Sequence, residues 1–278
     1  MTSIDRIEQE LNELGNSEKA KAMAKFFQVF PSGYGEGDSF IGVTVPNQRL
    51  IAKKYYREIS LDDIEKLLST GIHEYRLTAL FMLVLRFDKA KDENQREGIV
   101  ALYLKNIKWV NNWDLVDSSA HLILGPHLYT RSRDMLYEMA KSPNMWVQRI
   151  AIIATLHFIR KGQFGDALGI AELLLHHEHD LIHKAAGWML REVGNRDYHA
   201  EYVFLKKHYK HMPRTMLRYA IERFPEPIRQ DFLKRLYLMF TNFLTTISPA
   251  LWNVPILSLS LLRAQQFPRK YPPSGCCR

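Results

Sequence analysis

Strongly apolar helical segments recur along the middle of the chain, and this recurrence is the feature that most restricts its fold. Between residues 62 and 224 apolar side chains return every three or four positions, while alternating β-branched runs are scarce. This pattern is typical of helices and not of strands, so no β-sheet is expected. The most apolar segments are HEYRLTALFMLVLRF (73–87), NNWDLVDSSAHLILG (111–125), NMWVQRIAIIATLHFI (144–159), DLIHKAAGWMLREVG (180–194) and MPRTMLRYAIERFP (212–225).

Equivalent charged positions within these segments give the repeat length. The positions compared are Arg76, Asp114, Arg149, Lys184 and Arg214, which follow one another at steps of 38, 35, 35 and 30 residues. A period of this size accommodates one helical hairpin per repeat. The shorter outer helices are predicted at 61–69, 93–104 and 164–175. Stacked hairpins form an α-solenoid with a concave face, so we predict an all-α solenoid, with an ordinary helical bundle as the alternative.

The charge and cysteine content of the chain restrict its partners and its compartment. A formal net charge of +8 at pH 7 favours a polyanionic partner, either nucleic acid or an anionic membrane surface. The two cysteines are the adjacent Cys276 and Cys277, from which neither a disulfide framework nor a cysteine metal site can be built. A reducing, intracellular setting is therefore expected. The stretch MTSIDRIEQELNEL (1–14) is amphipathic and acidic, which predicts a first helix and not a secretory signal.

Residues 238–278 differ in character from the repeats. The stretch 241–262 is uncharged over a membrane-spanning length, but Pro249, Pro255 and eight Ser, Thr or Asn residues interrupt it. This composition favours a poorly ordered tail over a transmembrane segment. The predicted organisation is therefore a repeat domain at 1–237 and a divergent tail at 238–278.

Two polar segments resemble ligand-binding motifs only superficially. GYGEGDSFIGVTVPNQ (33–48) has G-x-G-x-G spacing and no preceding strand, so a surface loop is expected and not a dinucleotide site. In the histidine-rich stretch, His179 and His183 are separated by four residues, but H-E-x-x-H is absent and no third ligand is evident. That stretch predicts a polar turn between helices and no metal site.

The segment WVNNWDLVDSSAH (109–121) places an indole and a carboxylate on one face of a predicted helix, for which Asn111 or Asn112 can serve as the N-cap. Trp113 and Asp117 are i and i+4 neighbours and lie away from the apolar stripe expected to face the core. That stripe comprises Leu115, Val116, Ser119, Leu122 and Ile123. An indole outside the core forgoes burial energy on the order of a few kcal/mol, so another use for its ring is expected.

Two later segments add an aromatic ring and cations. In 180–194, Trp188 projects away from the predicted core stripe, with Lys184 and Arg191 beside it, an arrangement common where a sugar-phosphate chain is held. The inward stripe of this helix comprises Ile182, Ala185, Ala186, Met189 and Val193. Arg149 is the single charge in an apolar helix and must find a partner, because an unpaired buried guanidinium is costly.

Each of these residues also has an ordinary structural explanation. A lone tryptophan is often a core residue, an aspartate near a helix start is often a cap, and an arginine in an apolar helix often binds a loop carbonyl. The coincidence of Trp113, Asp117, Arg149 and Trp188 along one predicted concave surface nevertheless favours a functional site.

Four blocks carry a resemblance to a known family. They are WDLVD (113–117), WVQRIA (146–151), KAAGWMLREVG (184–194) and MLRYAIERFP (216–225). In this order and spacing they resemble the AlkD-type DNA alkylation repair glycosylases, which are built from HEAT-like helical repeats. The resemblance covers about residues 15–235 and implies an α-solenoid of HEAT-like hairpins with a concave DNA-binding face.

The resemblance implies roles for individual residues. Asp117 would be the catalytic carboxylate, Trp113 and Trp188 would lie against the deoxyribose, and Arg149 would position the DNA backbone. An aromatic residue near the N-terminal helices would also line the cleft, for which Phe26, Phe27 and Tyr34 remain candidates. The residues expected to contact DNA are Lys184, Arg191, Arg214 and Arg218.

The resemblance also implies the reaction and the partners. The expected activity is excision of cationic N3- or N7-alkylated purines, such as 3-methyladenine and 7-methylguanine, from duplex DNA, without strand cleavage. The expected partner is double-stranded DNA containing alkylated purines, with no cofactor, metal or membrane, and the expected state is a monomer in the cytoplasm or nucleoid. A non-catalytic DNA-binding solenoid and a HEAT-like protein scaffold remain as alternatives.

Overall fold

Polar side chains at helix starts, followed by apolar residues at helical spacing, produce the local structure of this protein. In the computed structural model, which describes residues 2–234, the side chains of Thr2, Ser60 and Asp92 each accept a hydrogen bond from the backbone amide three residues later. Such caps satisfy amides that have no partner within the helix. The first helices are α1 (Ser3–Glu13), α2 (Ser17–Phe26), α3 (Val45–Tyr55) and α4 (Leu61–Leu68).

Helical hairpins occupy the rest of the described chain. The helices are α5 (His73–Lys89), α6 (Glu93–Lys105), α7 (Trp113–Asp117), α8 (Ala120–Leu128), α9 (Asp134–Ala140), α10 (Met145–Ala154), α11 (Leu156–Arg160), α12 (Gly165–Leu173), α13 (Asp180–Gly194), α14 (Tyr198–His208), α15 (Arg214–Ala220) and α16 (Glu226–Lys234). Two 3₁₀ helices span Ile107–Trp109 and Ile221–Arg223. Residues 2–234 contain no strand, only one isolated bridge between Ser39 and Ile72. The predicted all-α solenoid is confirmed.

Two helices predicted as continuous are interrupted by hydroxyl side chains. Between α7 and α8, Ser119 Oγ hydrogen-bonds the Leu115 carbonyl at 2.6 Å, and Thr155 Oγ1 does the same to the Ile152 carbonyl at 2.6 Å between α10 and α11. Hydroxyls that bond backbone carbonyls one turn back compete with the helical ladder and bend it. The interruption corrects one expectation, because Leu122, predicted to face the core, is 37% exposed.

Successive inner helices pack side by side and form the body of the solenoid. Helix α10 contacts both α7 and α13, and α13 contacts α15. The stripe predicted to point inward from α13 is buried throughout. Gly187 allows α15 to approach closely, because a Cβ at this position would lie 2.5 Å from the Met216 carbonyl oxygen and 2.6 Å from Tyr219 Cβ. Successive inner helices therefore lie next to one another in the stack.

The glycine-rich segment is more than the surface loop predicted from its composition. Val43 is fully buried and Asp38 is 7% exposed. The carboxylate of Glu74, at the start of α5, accepts hydrogen bonds from the backbone amides of Ile41, Gly42 and Val43 at 2.7–3.3 Å. The segment is thus fastened to the first inner helix.

None of the helices within residues 2–234 is long and apolar enough to cross a membrane. Residues Met1–Leu233 form one compact unit. The expectations for the tail at 238–278, including its low order, and for the domain boundary beside it concern residues outside the described range.

Candidate active site

The short helix α7 presents Trp113 and Asp117 on the side away from the core. Asn112 is its N-cap, and its side-chain oxygen accepts a hydrogen bond from the Trp113 amide at 2.8 Å. Leu115 and Val116 are fully buried, so the helix has one inward face. Trp113 is partly buried, and the Asp117 side chain keeps 19% of its surface exposed. The predicted division between the two faces is therefore present.

Arg149 on α10 is the partner of Asp117. Its Nε donates to Asp117 Oδ1 at 3.0 Å and its Nη2 donates to Oδ2 at 2.7 Å. Its Nη1 donates to the carbonyl of Leu181, in the first turn of α13. The guanidinium is almost fully buried, and a two-point bond to a carboxylate is the arrangement that offsets the cost of burying it. One side chain thereby joins three successive inner helices.

Burial and the guanidinium act on Asp117 in opposite directions. Burial raises the pKa of Asp117 above its ordinary value of 3.8, while the charge and hydrogen bonds of Arg149 lower it, and burial is the larger effect. A raised pKa makes the ionised carboxylate less stable than in water. A cation placed in the cleft, against the exposed side of the Asp117 carboxylate, would therefore stabilise this carboxylate more than it would stabilise one in water.

A cavity of about 690 Å³, called the cleft below, opens beside this pair. Its aromatic walls comprise Phe26, Tyr34, Trp113, Trp188 and Tyr219. Asp117 and Arg149 also line it. Since Trp113 and Trp188 border one cavity, the four residues predicted to form the site lie together, although they come from three helices.

Of the four cations expected to contact DNA, only two line the cleft. Lys184 pairs with Asp180 at 2.8 Å, and Arg191 pairs with Glu222. Arg214 and Arg218 are exposed on α15 outside the cleft lining, and Arg214 Nη1 donates to the Leu233 carbonyl at 2.5 Å. Lys184 and Arg191 therefore border the same cleft as the Asp117 carboxylate, and Arg214 and Arg218 do not.

The three N-terminal aromatic candidates are divided by the structure. Phe26 and Tyr34 line the cleft, and Phe26 is 65% exposed. Phe27 lies beneath them, 8% exposed, with its ring stacked on Trp113 at a centroid distance of 5.4 Å and an interplanar angle of 15°. Phe27 thus supports the indole, whereas Phe26 faces the open space.

Among the further residues that line the cleft, Gln28 and Tyr219 were not singled out from the sequence. Tyr219 immediately follows a predicted DNA contact in the last block, MLRYAIERFP, and this adjacency was the available signal. Gln28 gives no signal in the sequence, because its place in the cleft depends on the path of the chain after α2.

A buried charged network that sequence patterns did not predict fastens the start of α7. His73 on α5 bonds Asp38 through Nδ1 at 2.9 Å and Asp114 through Nε2 at 2.8 Å. Arg76 bonds Asp38 and the side chain of Asn111. Burial alone would lower the pKa of His73, but Asp114 and Asp38 overcome it and raise the pKa to about 9. The imidazolium form therefore joins the glycine-rich segment to the residue next to Trp113.

An aromatic stack runs from this network to the indole. His73 stacks on Phe40 at 4.6 Å, Phe40 stacks on Phe27 at 5.1 Å, and Phe27 stacks on Trp113. Offset and tilted ring pairs of this kind contribute about 0.5–1.5 kcal/mol each beyond their burial. Trp113 is therefore held both through its ring and through its neighbour Asp114.

The histidine-rich stretch forms the polar turn between α12 and α13. His179 is the N-cap of α13, with Nδ1 accepting from the Leu181 amide at 3.1 Å, and His183 Nε2 bonds the His177 carbonyl. Within residues 2–234 no group of three or more His, Cys, Asp or Glu residues is placed to hold a metal ion.

A larger cavity, of about 1010 Å³, lies near the C-terminal end of α5. Its lining includes Arg57, Arg86, Lys89 and Lys91 but no carboxylate. Arg86 follows His73 by thirteen residues on the same helix, which corresponds to about 20 Å. Without an acid or a tryptophan among its lining residues, this cavity offers less chemistry than the cleft despite its size.

The geometry defines a class of protein, and the comparisons with known proteins give the family. An α-solenoid that holds a carboxylate–guanidinium pair inside an aromatic cleft is a helical-repeat protein with an enzyme-like site. The sequence model of the family described as DNA alkylation repair enzyme matches residues 7–224. The protein therefore belongs to the DNA alkylation repair enzyme family, which confirms the resemblance noted from the four blocks and assigns it an enzymatic role in alkylation DNA repair.

One solved structure supports the fold at low sequence identity. It is a predicted DNA alkylation repair enzyme from Enterococcus faecalis, 17% identical, with a TM-score of 0.59. The alignment covers 76% of this chain and 96% of that one. No curated protein matches the sequence.

Proposed function

We propose that this protein is a monofunctional DNA glycosylase that removes N3- and N7-alkylated purines from duplex DNA. The observation that carries the proposal is the position of Asp117, fixed at both oxygens by Arg149 and open to a cleft that Trp113 and Trp188 also line. A carboxylate held in this way is suited to stabilise a cation without reorganising.

The chemistry of the lesion matches such a site. An N3- or N7-alkylated purine already carries a positive charge, so its glycosidic bond is weakened and the base leaves neutral without a strong general acid. Positive charge then develops on the deoxyribose, where an ionised Asp117 would stabilise the oxocarbenium-like state and orient water. The indole faces of Trp113 and Trp188 would add a cation–π attraction of about 0.5–2 kcal/mol each.

The state of the cleft lysine supports base removal without strand cleavage. Cleavage through a Schiff base needs a neutral amine as nucleophile. Lys184, the lysine in the cleft lining, has its pKa raised chiefly by its hydrogen bond to Asp180. A lysine that stays protonated is a poor nucleophile and instead offers a positive charge to a phosphate.

Binding of the duplex would depend on its phosphates. Lys184 and Arg191 beside the cleft, with Arg214 and Arg218 on α15, would neutralise backbone charge, and the net charge of +8 supports this reading. Contacts to phosphate carry no sequence information, so we expect binding without sequence preference and with a steep dependence on salt. The cleft need not enclose the base, so bulky adducts would be accepted.

The proposal is tested by base release from methylated duplex DNA. Wild-type protein should release 7-methylguanine or 3-methyladenine and leave an intact strand with an abasic site, and Asp117→Asn should release the base far more slowly. Binding of the same duplex serves as the folding control. Equal release by both proteins would reject the mechanism, and DNA binding without release by either would favour a non-catalytic binding solenoid.

A further inference from the structure

Two residues other than glycine adopt left-handed backbone conformations within residues 2–234. They are Gln28, with φ of 54°, and Ser32, with φ of 69°. Residues with a Cβ atom are disfavoured in this region because Cβ approaches the following carbonyl oxygen. Residues held in such conformations cluster at active sites and ligand-binding sites, so each one motivates a search for a role of its side chain.

The conformation of Gln28 follows from the way α2 ends. Phe27 is the C-cap; the amide of Gln28 donates to the Lys25 carbonyl at 3.2 Å, and the amide of Val29 donates to the Ala24 carbonyl at 2.8 Å. This pair of bonds is the Schellman arrangement, in which the residue after the C-cap is left-handed and is most often glycine. Gln28 therefore occupies a position where glycine would give the more stable fold.

The side chain of Gln28 is placed to contact a ligand. It is exposed and lines the cleft together with Trp113 and Asp117. Its side-chain amide, unlike its backbone amide, has no hydrogen-bond partner among residues 2–234. The preceding residue, Phe27, stacks on Trp113, so the backbone that carries the amide is fixed relative to the indole.

We propose that the side-chain amide of Gln28 hydrogen-bonds the damaged duplex in the cleft, and that glutamine is retained there at the expense of fold stability. An amide offers both a donor and an acceptor and is uncharged, so it suits a base edge or sugar oxygen beside the lesion. The proposal rests on the proposed function. It concerns binding and not bond cleavage, and the two can be tested separately.

Ser32 provides a matched control. It shares the positive φ and is exposed, but it lies outside the cleft lining, and its backbone amide donates to the Glu36 carboxylate at 2.9 Å. Replacing either residue by glycine relieves the same backbone conformation. Only the change at Gln28 removes a group from the cleft.

The test compares Gln28→Gly, Gln28→Ala and Ser32→Gly in the full chain. Thermal unfolding should show both glycine variants more stable than wild type by about 2 °C, and the alanine variant no more stable. The affinity for a duplex containing a tetrahydrofuran abasic analogue should fall about 3- to 10-fold in both Gln28 variants. Ser32→Gly should bind as wild type does.

The salt dependence of binding gives a second readout. Because the amide carries no charge, its loss should lower affinity equally at every salt concentration and leave the slope of log Kd against log salt unchanged. A weaker slope would mean that phosphate contacts had been lost through rearrangement, which would overturn the proposal.

Four further outcomes are decisive. Wild-type affinity in both Gln28 variants, or an equal loss in Ser32→Gly, would overturn the role of the amide. A wild-type protein that binds the duplex but releases no alkylated base would contradict the glycosylase function, and the binding comparison at Gln28 would still decide this proposal. Failure of the wild type to bind duplex DNA would overturn both.

Discussion

Asp114 and Asp117 stand three residues apart on α7, have similar exposure, and lie in very different surroundings. The Asp114 side chain is 12% exposed and the Asp117 side chain is 19% exposed. Asp114 bonds His73 and the Leu115 amide, inside a network that ends at the glycine-rich segment. Asp117 bonds Arg149 and faces the cleft.

The difference shows that exposure alone does not separate a structural carboxylate from a functional one. The partner of Asp114 is a histidine that can lose its charge, and both ring nitrogens of that histidine are used by carboxylates. The partner of Asp117 is a permanent cation. Asp117 also lines the open cleft, where a ligand can reach it. We therefore propose that the Asp114 network holds α7 in place and that the Asp117–Arg149 pair takes part in the reaction.

The largest expected effect separates the two carboxylates directly. Asp117→Asn should lower the rate of alkylpurine release by about 10²- to 10³-fold, the range typical for loss of one preorganised electrostatic group. Asp114→Asn should lower the free energy of unfolding and retain most of the release rate per folded molecule. Single-turnover release and urea unfolding of both variants measure these two effects. A larger loss of release rate in Asp114→Asn than in Asp117→Asn would contradict the prediction.

Next in size is the loss of the histidine that holds Asp114. His73→Gln should lower the free energy of unfolding by about 3 kcal/mol, because it leaves two buried carboxylates without their shared cation. His211→Gln, at an exposed histidine, is the matched control and should change stability by less than about 0.5 kcal/mol. If both substitutions cost the same in urea unfolding, the network does not fasten α7.

The same network predicts a dependence of stability on pH. The pKa of His73 is raised from 6.5 to about 9, so its contribution is complete below pH 6.5 and is lost as the pH rises through about 9. Wild-type stability relative to His73→Gln should therefore decline by roughly 3 kcal/mol over this window. The charged groups that face the His73 imidazole are Asp38, Asp114 and Arg76. A difference between the two proteins that stays constant from pH 6 to 9.5 would show that His73 does not titrate there.

The smallest effect concerns the functional pair. Release requires ionised Asp117, so its rate should fall as the pH drops through the pKa of that carboxylate. Burial already raises this pKa and Arg149 opposes the rise, so Arg149→Gln should move the acidic limb of the pH–rate profile to higher pH by about one unit. A limb that stays in place, or that moves to lower pH, would show that Arg149 does not control the ionisation of Asp117.

Parts of the site could be predicted from local spacing. The i and i+4 relation of Trp113 and Asp117, the face of Trp188 on α13, and the need of Arg149 for a partner all follow from helical geometry within one segment. The resemblance of the blocks supplied the order in which those segments meet. Local spacing failed at Leu122, because the hydroxyl of Ser119 interrupts the helix.

Other parts were beyond such reasoning. Neither the bond from His73 to Asp38, across 35 residues, nor the one to Asp114, across 41, leaves a trace in local periodicity. The place of Gln28 in the cleft depends on a left-handed turn at the end of α2. Arg214 and Arg218, which share helix α15 with Tyr219, lie outside the cleft lining because they project from a different face of that helix.

The sequence by itself determined the helices, their repeat length, their buried faces and the residues able to do chemistry, because these depend on side chains within one or two helical turns of each other. Only the tertiary structure decided which aspartate is enclosed and which is open, which aromatic ring supports the indole and which faces solvent, and which of the predicted DNA-contacting cations line the cleft. Those properties depend on contacts between helices that are distant in the chain, and the free energy of such contacts depends on distance and surroundings that no local pattern encodes.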